Sequence, residues 1–129
     1  MRLSLLKGKL AVCRLEKSAP IPGWLMEDEF FSISRTFDEL SFMCPQESVP
    51  DGIQCNKNWR CLKVEGPLPF QETGILASLA APLSNAKIPV FVFSTYDTDY
   101  ILVKDADVEK AISVLSAEGH SVGGIRYFL

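Results

Sequence analysis

Two short stretches hold the residues best suited to chemistry. In FQETGILASL, Thr73 and Gly74 precede an apolar run at helical spacing, and in VFVFSTYDTDYILV a polar turn carries Ser94, Thr95, Asp97 and Asp99. Thr73 is expected to act as the N-cap, while Gly74 leaves the first free N–H groups unobstructed. A carboxylate could then dock on the backbone of Gly74, Ile75 and Leu76, helped by the helix dipole. The acids and hydroxyls of the turn suit an ammonium group. Together the two stretches fit a small zwitterion, although each alone is also an ordinary capped helix and an ordinary acidic turn.

Other chemistries find less support. A nucleophilic pair of Cys61 with His120, the single histidine, lacks any group to orient the base. Cys13, Cys44, Cys55 and Cys61 form no C-x-x-C pair, so buried reduced thiols are expected, with no metal and no cofactor. Neither phosphate-binding glycine pattern occurs. A net charge of −3 gives no electrostatic reason to approach nucleic acid, and the aromatic strands lack the basic surround that RNA-binding sheets carry. No apolar run approaches a membrane span, and Lys7 and Lys9 interrupt the leucines of the start, so neither a membrane partner nor a signal peptide is expected. At 47% hydrophobic and 22% charged residues, the composition is of the cytoplasmic type.

The elements that must position these residues read clearly from Trp59 onward. Trp59 to Glu65 alternates like a strand. From Thr73 to Ala86, Ile75, Leu76, Leu79, Ala80 and Leu83 recur at helical spacing, and Pro82 is expected to kink the helix or shorten it near Ala81. Val90 to Phe93 and Tyr100 to Val103 read as a hairpin. A second helix, Asp107 to Glu118, is capped by Gly119, and His120 to Leu129 closes the chain as a strand with a bulge or bend at Gly123 and Gly124. The order is β-α-β-β-α-β, an α+β ferredoxin-like arrangement with two helices on one face of a four-stranded antiparallel sheet.

Before Trp59 the pattern is less regular and nearly without helices. Strands are expected at Leu10 to Leu15, Glu29 to Ser34 and Leu40 to Cys44, with a turn at positions 19 to 24 and a loop or short turn at PQESVPDG. The halves nevertheless echo each other. Aligning FSISRTFDELSFMC with FVFSTYDTDYILV sets Ser34 against Ser94, Thr36 against Thr95, Phe37 against Tyr96 and Asp38 against Asp97. That echo suggests a duplicated unit whose first copy has lost most of its helices, although hairpin turns commonly share such residues.

The G-I-L-A helix start, the I-P-V strand and the S-T-Y-x-T-D turn within GILASLAAPLSNAKIPVFVFSTYDTDYILV closely resemble the ACT-domain family of small bacterial proteins related to the arginine-sensing CASTOR proteins of animals. Trp24 to Ser41, with F-F-S-I-S-R-T-x-D-E-L-S, is similar to the family's N-terminal part. The resemblance implies tandem ACT units, an abbreviated one at 1–57 and a complete one at 58–129, which bind an amino acid at an interface between units and do no chemistry on it. Carried over by position, Glu72, Thr73, Gly74 and Ile75 would wrap the ligand, Thr95 and Tyr96 would contact it, and Asp99 would meet its cationic group, with Ser94 and Asp97 alongside. The second half of such a pocket would come from another ACT unit, in a homodimer or within the chain. The animal sensors are longer and use four ACT units, so neither arginine specificity nor their protein partner carries over. The alternative is an oligomerisation module of the same fold that binds no ligand.

Overall fold

A single long strand, Gln54–Val64, gives its first six residues to one half of the molecule and the rest to the other. The computed structural model describes residues 1–66 and 73–123. It divides into a unit made of Met1–Lys7 with the chain from Arg60 onward, and a unit made of Gly8–Trp59.

In the first unit the strands are β1 (Arg2–Leu5), the end of β5 (Gln54–Val64), β6 (Val90–Ser94), β7 (Asp99–Lys104) and β8 (Ser121–Gly123). The helices are α1 (Ile75–Asn85) and α2 (Val108–Ala117). Along the chain, β5-α1-β6-β7-α2-β8 is the expected ferredoxin-like ACT order. The side-chain periods follow from the physics. Leu62 and Val64 on β5, and Ile101 and Val103 on β7, point inward at every second residue. They meet Leu79 and Leu83 of α1 and Val108, Ala111 and Leu115 of α2.

The expected four-stranded sheet is corrected to five strands in the order β6-β7-β5-β1-β8. Leu3 of β1 lies antiparallel against Val64 of β5 and parallel against Val122 of β8. The intruding strand is held by burial, because Leu3 is fully enclosed in the core. At the other end, the expected strand from His120 to Leu129 is described only as Ser121–Gly123. The proposed bend at Gly123 and Gly124 therefore extends beyond the described residues.

Two local expectations at α1 are also corrected. Gly74, at φ 80°, occupies the N-cap, and no side chain caps the helix, so Thr73 does not. Of the two outcomes expected at Pro82, the shortening near Ala81 does not occur, since the helix continues to Asn85. Pro82 lacks the N–H that would have bonded the Ser78 carbonyl, and His120 Nε2 stands 3.1 Å from that oxygen in its place.

The second unit is a four-stranded antiparallel sheet in the order β3-β4-β2-β5, from β2 (Leu10–Leu15), β3 (Ser32–Arg35), β4 (Leu40–Pro45) and Gln54–Trp59 of β5. Strand β5 begins five residues before the expected Trp59. The polar run Gln54 to Asn58, with Asn58 at φ 69° and a register shift opposite Leu10 to Val12, hides it. Similarly, β3 starts at Ser32, not Glu29. Among its described residues this unit has no α-helix, only 3₁₀ turns at Gly23–Glu27 and Gln46–Ser48. Its core gathers Ala11, Cys13, Leu25, Phe42 and Cys44, with Trp24 set edge-on to Phe42 at 5.7 Å.

The two aligned hairpin turns share one hydrogen-bond pattern. Thr36 N–H donates to the Glu39 carbonyl at 2.9 Å, and Thr95 N–H donates to the Thr98 carbonyl at 2.8 Å. In each, the threonine hydroxyl reaches the same carbonyl at 3.3 Å and accepts a backbone N–H in return. The aromatic between them is exposed both times, Phe37 at 95% and Tyr96 at 80%.

Candidate functional site

The turn Thr95 to Thr98 is fixed to the sheet by one buried hydroxyl. Thr98 donates its O–H to the carbonyl of Val64 and is 5% exposed, so the turn is bonded to the end of β5 as well as within itself. Strand β7 pairs with β5, which brings the outward-facing residues of β5 beside the turn. On β5, Leu62 and Val64 face the core, so period-two alternation turns Lys63 away from it.

The result is a cavity of about 320 Å³ lined by Lys63, Gly66, Thr95, Asp97, Thr98 and Tyr100. Its wall is stiffened by Tyr100, whose ring stacks on that of Phe93 at 4.7 Å and 5°. Lys63 and Asp97, residues of opposite charge, line one space with Thr95, Thr98 and Tyr100. A cation and an anion side by side suit a zwitterion, the cation for its carboxylate and the anion for its ammonium.

Of the nominated residues, Thr95 and Asp97 line this cavity, whereas Thr73, Gly74, Ile75, Ser94, Tyr96 and Asp99 do not. Ser94 and Asp99 are cross-strand partners, and the Ser94 hydroxyl donates to the Asp99 carboxylate. Tyr96 projects into solvent. Glu72 lies outside the described residues. Sequence reasoning missed Lys63, Gly66, Thr98 and Tyr100. The available signal is strand parity, since a lysine between two core residues must face the side opposite the core.

The Cys61 and His120 pairing does not occur. Cys61 is buried, and burial pushes its thiol up to about 12. His120 instead bonds the Ser78 carbonyl through Nε2 and the Met1 amino group through Nδ1 at 2.9 Å.

Residues 54–117 match the family model described as an ACT domain, and residues 8–52 match a second model described as an N-terminal domain. Protein Atu0741 from Agrobacterium tumefaciens, known from a crystal structure, is 39% identical, superposes with a TM-score of 0.91, and covers 99% of this chain and 96% of its own. The chain belongs to the ACT-domain family. It is related to the human cytosolic arginine sensor for mTORC1 subunit 1, being 40% identical over 58 residues, which is 44% of this chain and 18% of the sensor. This ACT-domain chain therefore spans about a fifth of the length of the arginine sensors it matches. The ligand-free regulatory subunit of aspartate kinase from Thermus thermophilus shares the fold at a TM-score of 0.64 and 8% identity, covering 90% of this chain and 95% of that one.

Proposed function

We propose that this chain is a non-enzymatic, cytoplasmic regulatory protein that binds a small amino acid through its complete ACT unit. The observation that carries the reading is that Lys63 and Asp97 both line one cavity of about 320 Å³. Lys63 would hold the ligand carboxylate and Asp97 its ammonium, with Thr95 and Tyr100 supplying further polar contacts. The helix start at Gly74 and Ile75, together with Glu72, Thr73, Ser94, Tyr96 and Asp99, would belong to the completed pocket, which a second copy closes. Kinship with an arginine sensor supports an amino acid as the ligand class.

Dimerisation would use strand β6. On one edge it pairs with β7, and among the described residues no strand pairs the other edge. Its sequence, VFVFS, carries no charge to repel a second strand, and Val92 is 38% exposed. The N-terminal unit would be an abbreviated ACT copy, a view supported by the shared turn geometry of Thr36 and Thr95.

Calorimetric titration of the full chain with each common amino acid tests the reading. At least one should bind, and Lys63→Gln and Asp97→Asn should each weaken it about ten- to hundredfold, the usual consequence of removing a charge-assisted hydrogen bond. Sedimentation should show that ligand strengthens the dimer. Absence of binding at millimolar concentration, with a dimer indifferent to every amino acid, would replace the sensor with a scaffold.

A further inference from the structure

The second unit holds three cysteines in a row across three adjacent strands. Cys13 on β2 is the direct register partner of Cys55 on β5. On the other side of β2, Cys44 of β4 stands opposite Ala11, two residues from Cys13, so all three thiols share one sheet face. Both neighbours lie close enough to Cys13 to bear on the ionisation of its thiol, Cys44 more than Cys55. Cys13 and Cys44 are buried while Cys55 is half-exposed, so the row leads from solvent into the core.

We propose that Cys55 and Cys13 form a reversible cross-strand disulfide, with Cys55 as the thiol that meets the oxidant and Cys13 as the one that resolves it. Directly opposed residues of antiparallel strands have Cβ atoms about 4.5 to 5.5 Å apart, within a small shift of the roughly 3.8 Å of a disulfide. Cys44, diagonal to Cys13, is farther from that geometry. The neighbouring Cys44 and then burial raise the Cys13 thiol, and burial raises that of Cys55; Lys57 opposes both shifts only in part, so the reaction runs through a small thiolate fraction and quickens as pH rises.

With hydrogen peroxide as the oxidant, the Cys55 sulfur attacks one peroxide oxygen. An S–O bond forms, the O–O bond breaks, and the leaving hydroxide takes a proton to become water. The Cys13 sulfur then attacks the sulfur of the Cys55 sulfenic acid. The S–S bond forms as the S–O bond breaks, and a second water leaves. Two thiols lose two electrons and the peroxide gains them. A thiol reductant reverses the bridge by exchange.

The test treats the native full-length chain with hydrogen peroxide, blocks remaining thiols after unfolding, and maps the peptides by mass spectrometry. Trypsin leaves Cys44 and Cys55 together on residues 36–57, so a second cut after Glu47 separates them. The expected product is a Cys13–Cys55 linked peptide, lighter than its reduced parts by two hydrogens, with Cys44 and Cys61 still free to be blocked. Cys55→Ser should abolish the internal bridge, Cys44→Ala should retain it, and dithiothreitol should release it. Several results overturn the proposal: a Cys13–Cys44 bridge, a Cys55 sulfinic acid with Cys13 reduced, no oxidation, or a bridge forming only after tryptophan fluorescence reports unfolding. The wild-type map decides the matter even where a variant folds poorly.

Discussion

Thr98 and Cys61 show how much individual buried polar groups matter in the unit that runs from Arg60 onward. Thr98→Val keeps the shape but strands the Val64 carbonyl, and should cost about 1 to 3 kcal/mol by chemical denaturation while loosening the turn that carries Asp97. Cys61 makes a prediction in pH. Its thiol rises from 9.0 to about 12 on folding because burial disfavours the thiolate. The folded state thus holds the proton where the unfolded chain has lost it. The associated stability is full below pH 9 and drains as pH climbs toward about 12, at roughly 1.4 kcal/mol per unit. Cys13 acts in the same direction, chiefly through its neighbour Cys44 and then through burial. Urea midpoints measured from pH 8 upward should fall, and Cys61→Ala should flatten the slope. At this scale the acidic turn is legible in the sequence because Thr95 and Asp97 are turn formers by type. Lys63 is not, since strand parity turns it outward but nothing local tells it that a distant turn will bring Asp97 to the same cavity.

Among the elements, α1 joins a helix breaker to a distant partner. Pro82 frees the Ser78 carbonyl and His120 Nε2 fills the place. The two should therefore be coupled. His120→Ala should destabilise the natural protein by about 0.5 kcal/mol and cost less in a Pro82→Ala background, where the substituted alanine supplies the missing N–H itself. Additive effects in that double-mutant cycle would refute the linkage. Helix and strand periods make α1, β6, β7 and α2 readable in advance, because each buries one face at a regular interval. Misreadings fall where that logic fails. Gly74 takes the cap by adopting a left-handed backbone, and the polar start of β5 looks like loop because its residues serve a bulged ladder.

For the whole molecule, β1 is the element least visible in the sequence. Four residues with a basic neighbourhood carry too little pattern to announce a strand, and only the distant partners Leu62, Val64 and Val122 give Leu3 its place. Leu3→Ala should cost about 2 to 5 kcal/mol, the usual penalty for a fully buried leucine, and should be felt by β8 as well as β5. Hydrogen exchange on Ser121–Gly123 would register that loss.

The position of β1 also sets a timetable. Its ladder joins Arg2 to Ser121, almost the full span of the chain, while every strand of the Gly8–Trp59 unit has been synthesised by residue 59. On a ribosome the smaller sheet can assemble early, but β1 must wait for β8 before its sheet can close. Until then β1 and β5 present unfinished edges, and the moment of greatest exposure to wrong pairing falls between the emergence of β5 and that of β8.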